Sequence, residues 1–140
     1  MKRTYETLFS SELYNVKKAL KEILTFLREH LPEESAAEID DLRLIFSELL
    51  CNAVIHGNKQ DLSKKVRVEV RVEEDGVSAD ISDEGPGFNF LLAIQNNSGI
   101  RPASLSNDHG RGIFLVHSLS DSLTFGKNGS VVQFYKRVTR

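Results

Sequence analysis

Leu13, Val16, Leu20, Ile23, Leu24, Leu27 and Leu31 recur three and four positions apart. That spacing lays one apolar stripe along a helix of about 20 residues. Ser10 and Ser11 precede it as N-cap residues, and Pro32 closes it. Residues 4–9 (TYETLF) form a short strand ahead of it. A second helix is expected from about Ser35 to His56, with Gly57-Asn58 ending it. From Lys65 the period becomes two. Val66, Val68, Val70 and Val72 alternate with Arg67, Glu69, Arg71 and Glu73, the pattern of a strand with one buried face and one solvated face. Asp75-Gly76 marks a hairpin, and Val77, Ala79 and Ile81 form its return strand. After Gly85-Pro86-Gly87 comes a polar stretch from about Asn89 to His109, a length that reads as a lid or binding loop. Gly110-Arg111-Gly112 then leads into a third helix, about Ile113 to Ser120. Leu123–Phe125 and Val131–Val138 are two further strands joined at Lys127-Asn128-Gly129.

These elements imply an α+β fold, a two-layer sandwich with one mixed, mainly antiparallel sheet and helices on one face. One domain over residues 1–140 is expected. The order of elements argues against a Rossmann fold, which alternates parallel βα units.

Composition narrows the class without naming it. Apolar residues make up 40% and charged residues 27% of the chain, as in ordinary globular proteins. A net charge of -2 gives no electrostatic case for nucleic acid or an anionic membrane. No apolar run approaches the roughly 18 residues of a spanning helix, and MKRTYETLFSSE lacks the apolar stretch of a secretory leader. With Cys51 as its one cysteine, the sequence allows no intrachain disulfide and no multi-cysteine zinc site. A cytoplasmic domain is the expectation.

Three segments carry candidate chemistry. The second helix is apolar nearly all round, yet Glu48, Asn52 and His56 fall on one face of it at i, i+4 and i+8. Buried polar groups of this kind need partners. They either bond neighbouring loops or serve a ligand. Asn52 offers a neutral oxygen for Mg²⁺ when phosphates supply other ligands, and Glu48 is placed to accept a proton from a hydroxyl or water. Ser82-Asp83-Glu84-Gly85-Pro86-Gly87-Phe88 follows a strand directly. It is either a plain turn or a place where glycines let the backbone approach a ligand, with Asp83 accepting from an amino group such as adenine N6. His109-Gly110-Arg111-Gly112 opens a helix, whose free N–H groups favour phosphate.

Together and in this order, the segments resemble the motif boxes of the GHKL ATPases, the family of gyrase, MutL, a heat-shock chaperone and histidine-kinase catalytic domains. Glu48 to Gly57 (ELLCNAVIHG) looks like the N box, Asp83 to Phe88 like the first glycine box, and Gly110-Arg111-Gly112-Ile113 like the second. Within the family the likeness is nearest to the bacterial anti-sigma-factor serine kinases. The chain is short and carries no sensor or dimerisation helices, and Asn52 is followed by Ala-Val-Ile-His-Gly. Gly110 to Val116 is followed by Ser120-Asp121-Ser122-Leu123.

The resemblance implies the Bergerat ATP-binding fold, ATP and Mg²⁺ as ligands, and phosphorylation of a serine on a small antagonist protein. Many such kinases also sequester a sigma factor. By the same resemblance Asn52 helps bind Mg²⁺, Glu48 is the general base, and Asp83 contacts adenine. Gly85 and Gly87 shape the adenine pocket, and Gly110, Arg111 and Gly112 face the phosphates. Ser130 stands where many relatives place the Thr of a Gly-Thr pair. Some relatives carry a lid arginine before the second glycine box. Here Asn107, Asp108 and His109 occupy that stretch, and Arg101 or Arg111 stand as substitutes.

Two other functions fit the same residues. One is a nucleotide-gated module that sequesters a regulator with little phosphoryl transfer. The other is a detached histidine-kinase catalytic domain, against which the missing dimerisation helix and phospho-accepting histidine count. His56, His109 and His117 have no metal-ligand spacing. His117 reads as a packing residue and Cys51 as a core filler. The stripe of the first helix is either core or, with the first strand, part of a homodimer interface.

Overall fold

The computed structural model describes residues 3–86 and 108–138. Strand β1 (Arg3–Ser10) leads into helix α1 (Leu13–His30). A 3-10 turn (Glu33–Ser35) opens helix α2 (Ala36–Asn52), which continues as a π-helical turn, Ala53–Gly57. Strands β2 (Lys65–Val72) and β3 (Gly76–Ser82) form a hairpin. Helix α3 (Asp108–Leu119), strand β4 (Ser122–Gly126) and strand β5 (Val131–Arg137) complete the described chain. The strands lie in the order β1-β2-β3-β5-β4. Every pairing among the described residues is antiparallel.

The period-two pattern becomes the two faces of this sheet. Val66, Val68, Val70, Val77, Ala79, Ile81, Val132 and Phe134 are buried beneath the helices. From α1 come Val16, Ala19, Ile23, Leu24 and Leu27, so most of the α1 stripe is core, while Leu13 at its start is exposed. Leu42, Ile45, Phe46, Leu49 and Leu50 arrive from α2, and Ile113 and Val116 from α3. Each fully buried side chain of this size contributes about 1.5–3 kcal/mol. The ring of Phe46 meets Phe134 edge-on, with centroids 5.1 Å apart, and so joins α2 to β5. The opposite face is polar: Arg67 pairs with Glu6, and Arg71 donates to Asp80 at 2.8 Å.

Several details depart from the sequence reading. Ser10 ends β1, and Glu12 is the N-cap of α1 without a side-chain cap. Ser11 is fully buried, and its hydroxyl donates inward to the Lys64 carbonyl at 2.7 Å. Helix α3 begins at Asp108 rather than near Ile113, so Gly110 and Arg111 fall in its first turn and Gly112 just after it. His117 is exposed, not packed. Gly87, Phe88, Arg101 and the expected lid lie outside the described residues, apart from Asp108 and His109, which start α3. Among the described residues no helix is long and apolar enough to cross a membrane.

Candidate functional site

Helix α2 positions the first group of candidates. Glu48 and Asn52 stand one turn apart, and Asn52 is the last α-helical residue before the pitch widens. The i, i+4 relation therefore holds for this pair and does not extend strictly to His56, which is exposed. Asn52 is 7% exposed, and its Nδ2 finds no hydrogen-bond partner among the described residues. Such a buried, unmet polar atom costs about 1–3 kcal/mol. An amide retained there at that cost fits a group that meets a ligand.

Glu48 reaches across to α3. A Cβ at Gly112 would stand 2.0 Å from Glu48 Oε2 and 2.6 Å from its carboxyl carbon, so glycine is what lets this carboxylate lie against the helix. Glu48 and Gly112 thus meet, with Asn52 one turn further along α2, beside the first turn of α3, whose leading N–H groups have no partner within the helix itself. An amide oxygen and a carboxylate are the hard oxygen donors that suit Mg²⁺ alongside phosphate. Cys51 sits next to them half-buried. Burial and then the charge of Glu48 push its thiol pKa up, so it stays protonated and behaves as a filler.

The second group forms at the far end of α2. Asp83 follows β3, donates its N–H to the Ser130 carbonyl at 2.9 Å, and accepts the Gly85 N–H at 2.7 Å through Oδ1. Its carboxylate lies on Gly57, where a Cβ would come within 2.3 Å of Oδ2. A Cβ at Gly85 would in turn be 2.0 Å from the Gly57 carbonyl oxygen. The turn therefore closes glycine against glycine on the end of α2. Burial raises the pKa of Asp83, opposed by the Gly85 N–H and the charge of Lys64. Ser130 is 7% exposed, and its hydroxyl donates to the Lys127 carbonyl at 3.1 Å. It meets Asp83 through its backbone.

The structure so gathers Glu48, Asn52 and Gly112 at one place, and Asp83, Gly85 and Ser130 at another, with α2 carrying both. Gly110 and Arg111 are placed only as the first turn of α3, and Gly87 is outside the described residues. Sequence reasoning missed Asn58, taken only as a helix-stop residue. Asn58 is 1% exposed and bonds to Ser11, Lys65 and Glu84, which lie 47, 7 and 26 positions away. No local spacing signals such a residue.

A family model described as the histidine kinase-like ATPase domain matches residues 9–136. The chain belongs to that family. The likeness to the GHKL ATPases read from the three boxes is thereby borne out, and ATP is the nucleotide that goes with this fold. Serine-protein kinase RsbW of Bacillus subtilis (strain 168) is 30% identical over 97 residues, covering 67% of this chain and 61% of the relative. Anti-sigma F factor of Clostridium perfringens (strain SM101 / Type A) is 31% identical over 86 residues, covering 61% of each. Both matches therefore span less than two thirds of the relative's length. Anti-sigma F factor of Bacillus velezensis (strain DSM 23117 / BGSC 10A6 / LMG 26770 / FZB42) is 24% identical, over 100% of this chain and 96% of its own.

Proposed function

We propose that this histidine kinase-like ATPase domain is a cytoplasmic, ATP-dependent serine protein kinase and anti-sigma factor. It phosphorylates a small antagonist protein, sequesters a sigma factor, or does both. The names of its relatives support the reading. The observation that carries it is the Glu48 carboxylate seated against Gly112 one turn from Asn52. A homodimer is part of the same reading, supported by the edge position of β1 and by exposed Leu8, Leu13 and Tyr14 beside it.

In this reading Asp83 accepts a hydrogen bond from the adenine amino group, in a pocket shaped by Gly85 and Gly87 with Ser130 behind it. The N–H groups at the start of α3, with Arg111, hold the phosphates. Asn52 offers its amide oxygen to Mg²⁺, which when bound neutralises charge on the phosphate oxygens. Glu48 orients the substrate serine and takes its hydroxyl proton as the oxygen attacks the γ-phosphorus, whose bond to the β–γ bridging oxygen breaks to release ADP. Gly112 leaves the room that Glu48 needs.

The test replaces Glu48 by Gln, which keeps shape and removes the basic charge. With γ-labelled ATP and a candidate antagonist protein, transfer should fall about 10²-fold or more, the scale of general-base effects. ATP and partner binding, titrated separately, should stay near wild type. Equal transfer by Glu48→Gln would remove it as the base. A wild type that binds its partner tightly and transfers nothing would leave a nucleotide-gated binding module in place of the kinase.

A further inference from the structure

A fully enclosed amide near the site has no assigned role. Asn58 follows the π turn of α2, and its backbone N–H closes that turn onto the Ala53 carbonyl at 2.8 Å. Its side chain spends both amide hydrogens inside the protein, on Ser11 Oγ at 2.7 Å and on the Lys65 carbonyl at 2.9 Å. Its Oδ1 accepts the Glu84 N–H at 2.7 Å. Three segments distant in sequence therefore meet on one amide: the β1–α1 junction, the start of β2, and the turn that carries Asp83. Ser11, 0% exposed, completes the knot by donating to the Lys64 carbonyl. On the outer side the Glu84 carboxylate accepts the Lys65 N–H.

At 1% exposure Asn58 has no surface to offer a nucleotide. Whatever it does for a ligand, it does through its neighbours. The neighbour that matters is the Asp83–Gly85 turn, whose packing on Gly57 leaves no slack: the close approaches at Gly57 and Gly85 require that register. Three bonds tie the turn to other segments: Asp83 N–H to Ser130 holds one side, the Glu84 carboxylate takes the Lys65 N–H on the outer side, and Glu84 N–H to Asn58 is the inner tie to the end of α2. The bond from Gly85 N–H to Asp83 is internal and travels with the turn.

We infer that Asn58 is a positioning residue for base selection, holding the Asp83–Gly85 turn against α2 so that the Asp83 carboxylate meets the adenine amino group at the right place. This rests on the proposed contact between Asp83 and adenine. An amide is the side chain that can donate twice and accept once from this spot. Alanine leaves the Glu84 N–H and the Lys65 carbonyl without their partner, and frees the turn to shift away from Gly57.

The experiment measures affinities for ATP and GTP by calorimetry, with thermal melts, for wild type, Asn58→Ala, Asp83→Asn and the double variant. Loss of one charge-assisted bond is worth about tenfold or more in affinity. Asn58→Ala should lose about that factor for ATP and little for GTP, collapsing the preference. In the Asp83→Asn background the same change should add almost nothing. Ser11→Ala removes one partner of Asn58 without touching the turn and should shift the preference in the same direction by about threefold; it carries the test if Asn58→Ala does not fold. A lower melting temperature with the wild-type ATP-to-GTP ratio would make Asn58 purely structural and overturn the inference, as would losses that multiply in the double variant. A wild type without preference for ATP, or a preference untouched by Asp83→Asn, would instead overturn the adenine contact, and the role of Asn58 with it.

Discussion

Asp83 holds a carboxylate where burial disfavours its charge. Its pKa is raised, first by desolvation, with the Gly85 N–H and Lys64 opposing. A carboxyl that binds its proton more tightly folded than unfolded adds most stability below its ordinary range. That contribution is lost as pH rises through the folded pKa. At neutral pH the ionised side chain therefore counts against the fold, and under the proposed function it is retained for the adenine amino group. Asp83→Asn separates the two effects. The amide oxygen can still take the Gly85 N–H, so at pH 7 the variant should melt at a higher temperature than wild type. The gap should narrow as pH falls through the folded pKa and close below the ordinary aspartate range. Its ATP affinity should nevertheless drop by roughly ten- to a hundredfold, the worth of a hydrogen bond to a charged group. Melting curves across pH, set beside ATP titrations, check both halves. A variant that binds ATP as tightly as wild type would show that Asp83 does not read the base.

At the level of elements, the contact between α2 and α3 is set by one missing methyl group. Gly112→Ala should favour the helix itself by up to about 1 kcal/mol, since alanine is the better helix former. Its Cβ, however, would fall 2.0 Å from Glu48 Oε2, so the carboxylate must swing away. The expected outcome is little or no loss of thermal stability with phosphoryl transfer reduced at least about tenfold, read by melts and labelled-ATP assays on the same sample. The strands and the α1 stripe were legible in the sequence because burial repeats with the period of each element. Val66 to Val72 alternate in the sequence and in the sheet alike. The start of α3 was not legible, because Gly110 and Gly112 read as loop punctuation. The reason Gly112 is glycine lies in Glu48, on another helix. Ser11 misled for a similar cause. By residue type it is a helix cap, but a partner 53 positions away claims its hydroxyl. The three boxes were legible as motifs, whereas Asn58, the amide that ties the Asp83 turn to the end of α2, has no periodic signature.

For the whole molecule, α2 is both the middle of the core and the carrier of the site. Phe46, 0% exposed and edge-on to Phe134, lies two residues before Glu48. Phe46→Ala should cost about 3–5 kcal/mol in denaturant unfolding, the usual price of removing a buried aromatic ring. If the remaining fold still binds nucleotide, Mg·ATP at a hundred times its dissociation constant should restore about 2.7 kcal/mol of that by mass action. The sheet order has a consequence of another kind, for the time course of folding. β2–β3 is a hairpin of near neighbours and β4–β5 another, so each can form early. β1 is made first, yet its partner is β2, with Ser10 opposite Lys65 and Arg3 opposite Val72. On the ribosome the first strand must wait, unpaired, until the far end of its partner has emerged. Only then can it close the longest loop of this half of the sheet. The same closure brings Ser11 to Lys64 and Asn58, so the buried amide that holds the Asp83 turn gains its last partner from the earliest strand of the sheet.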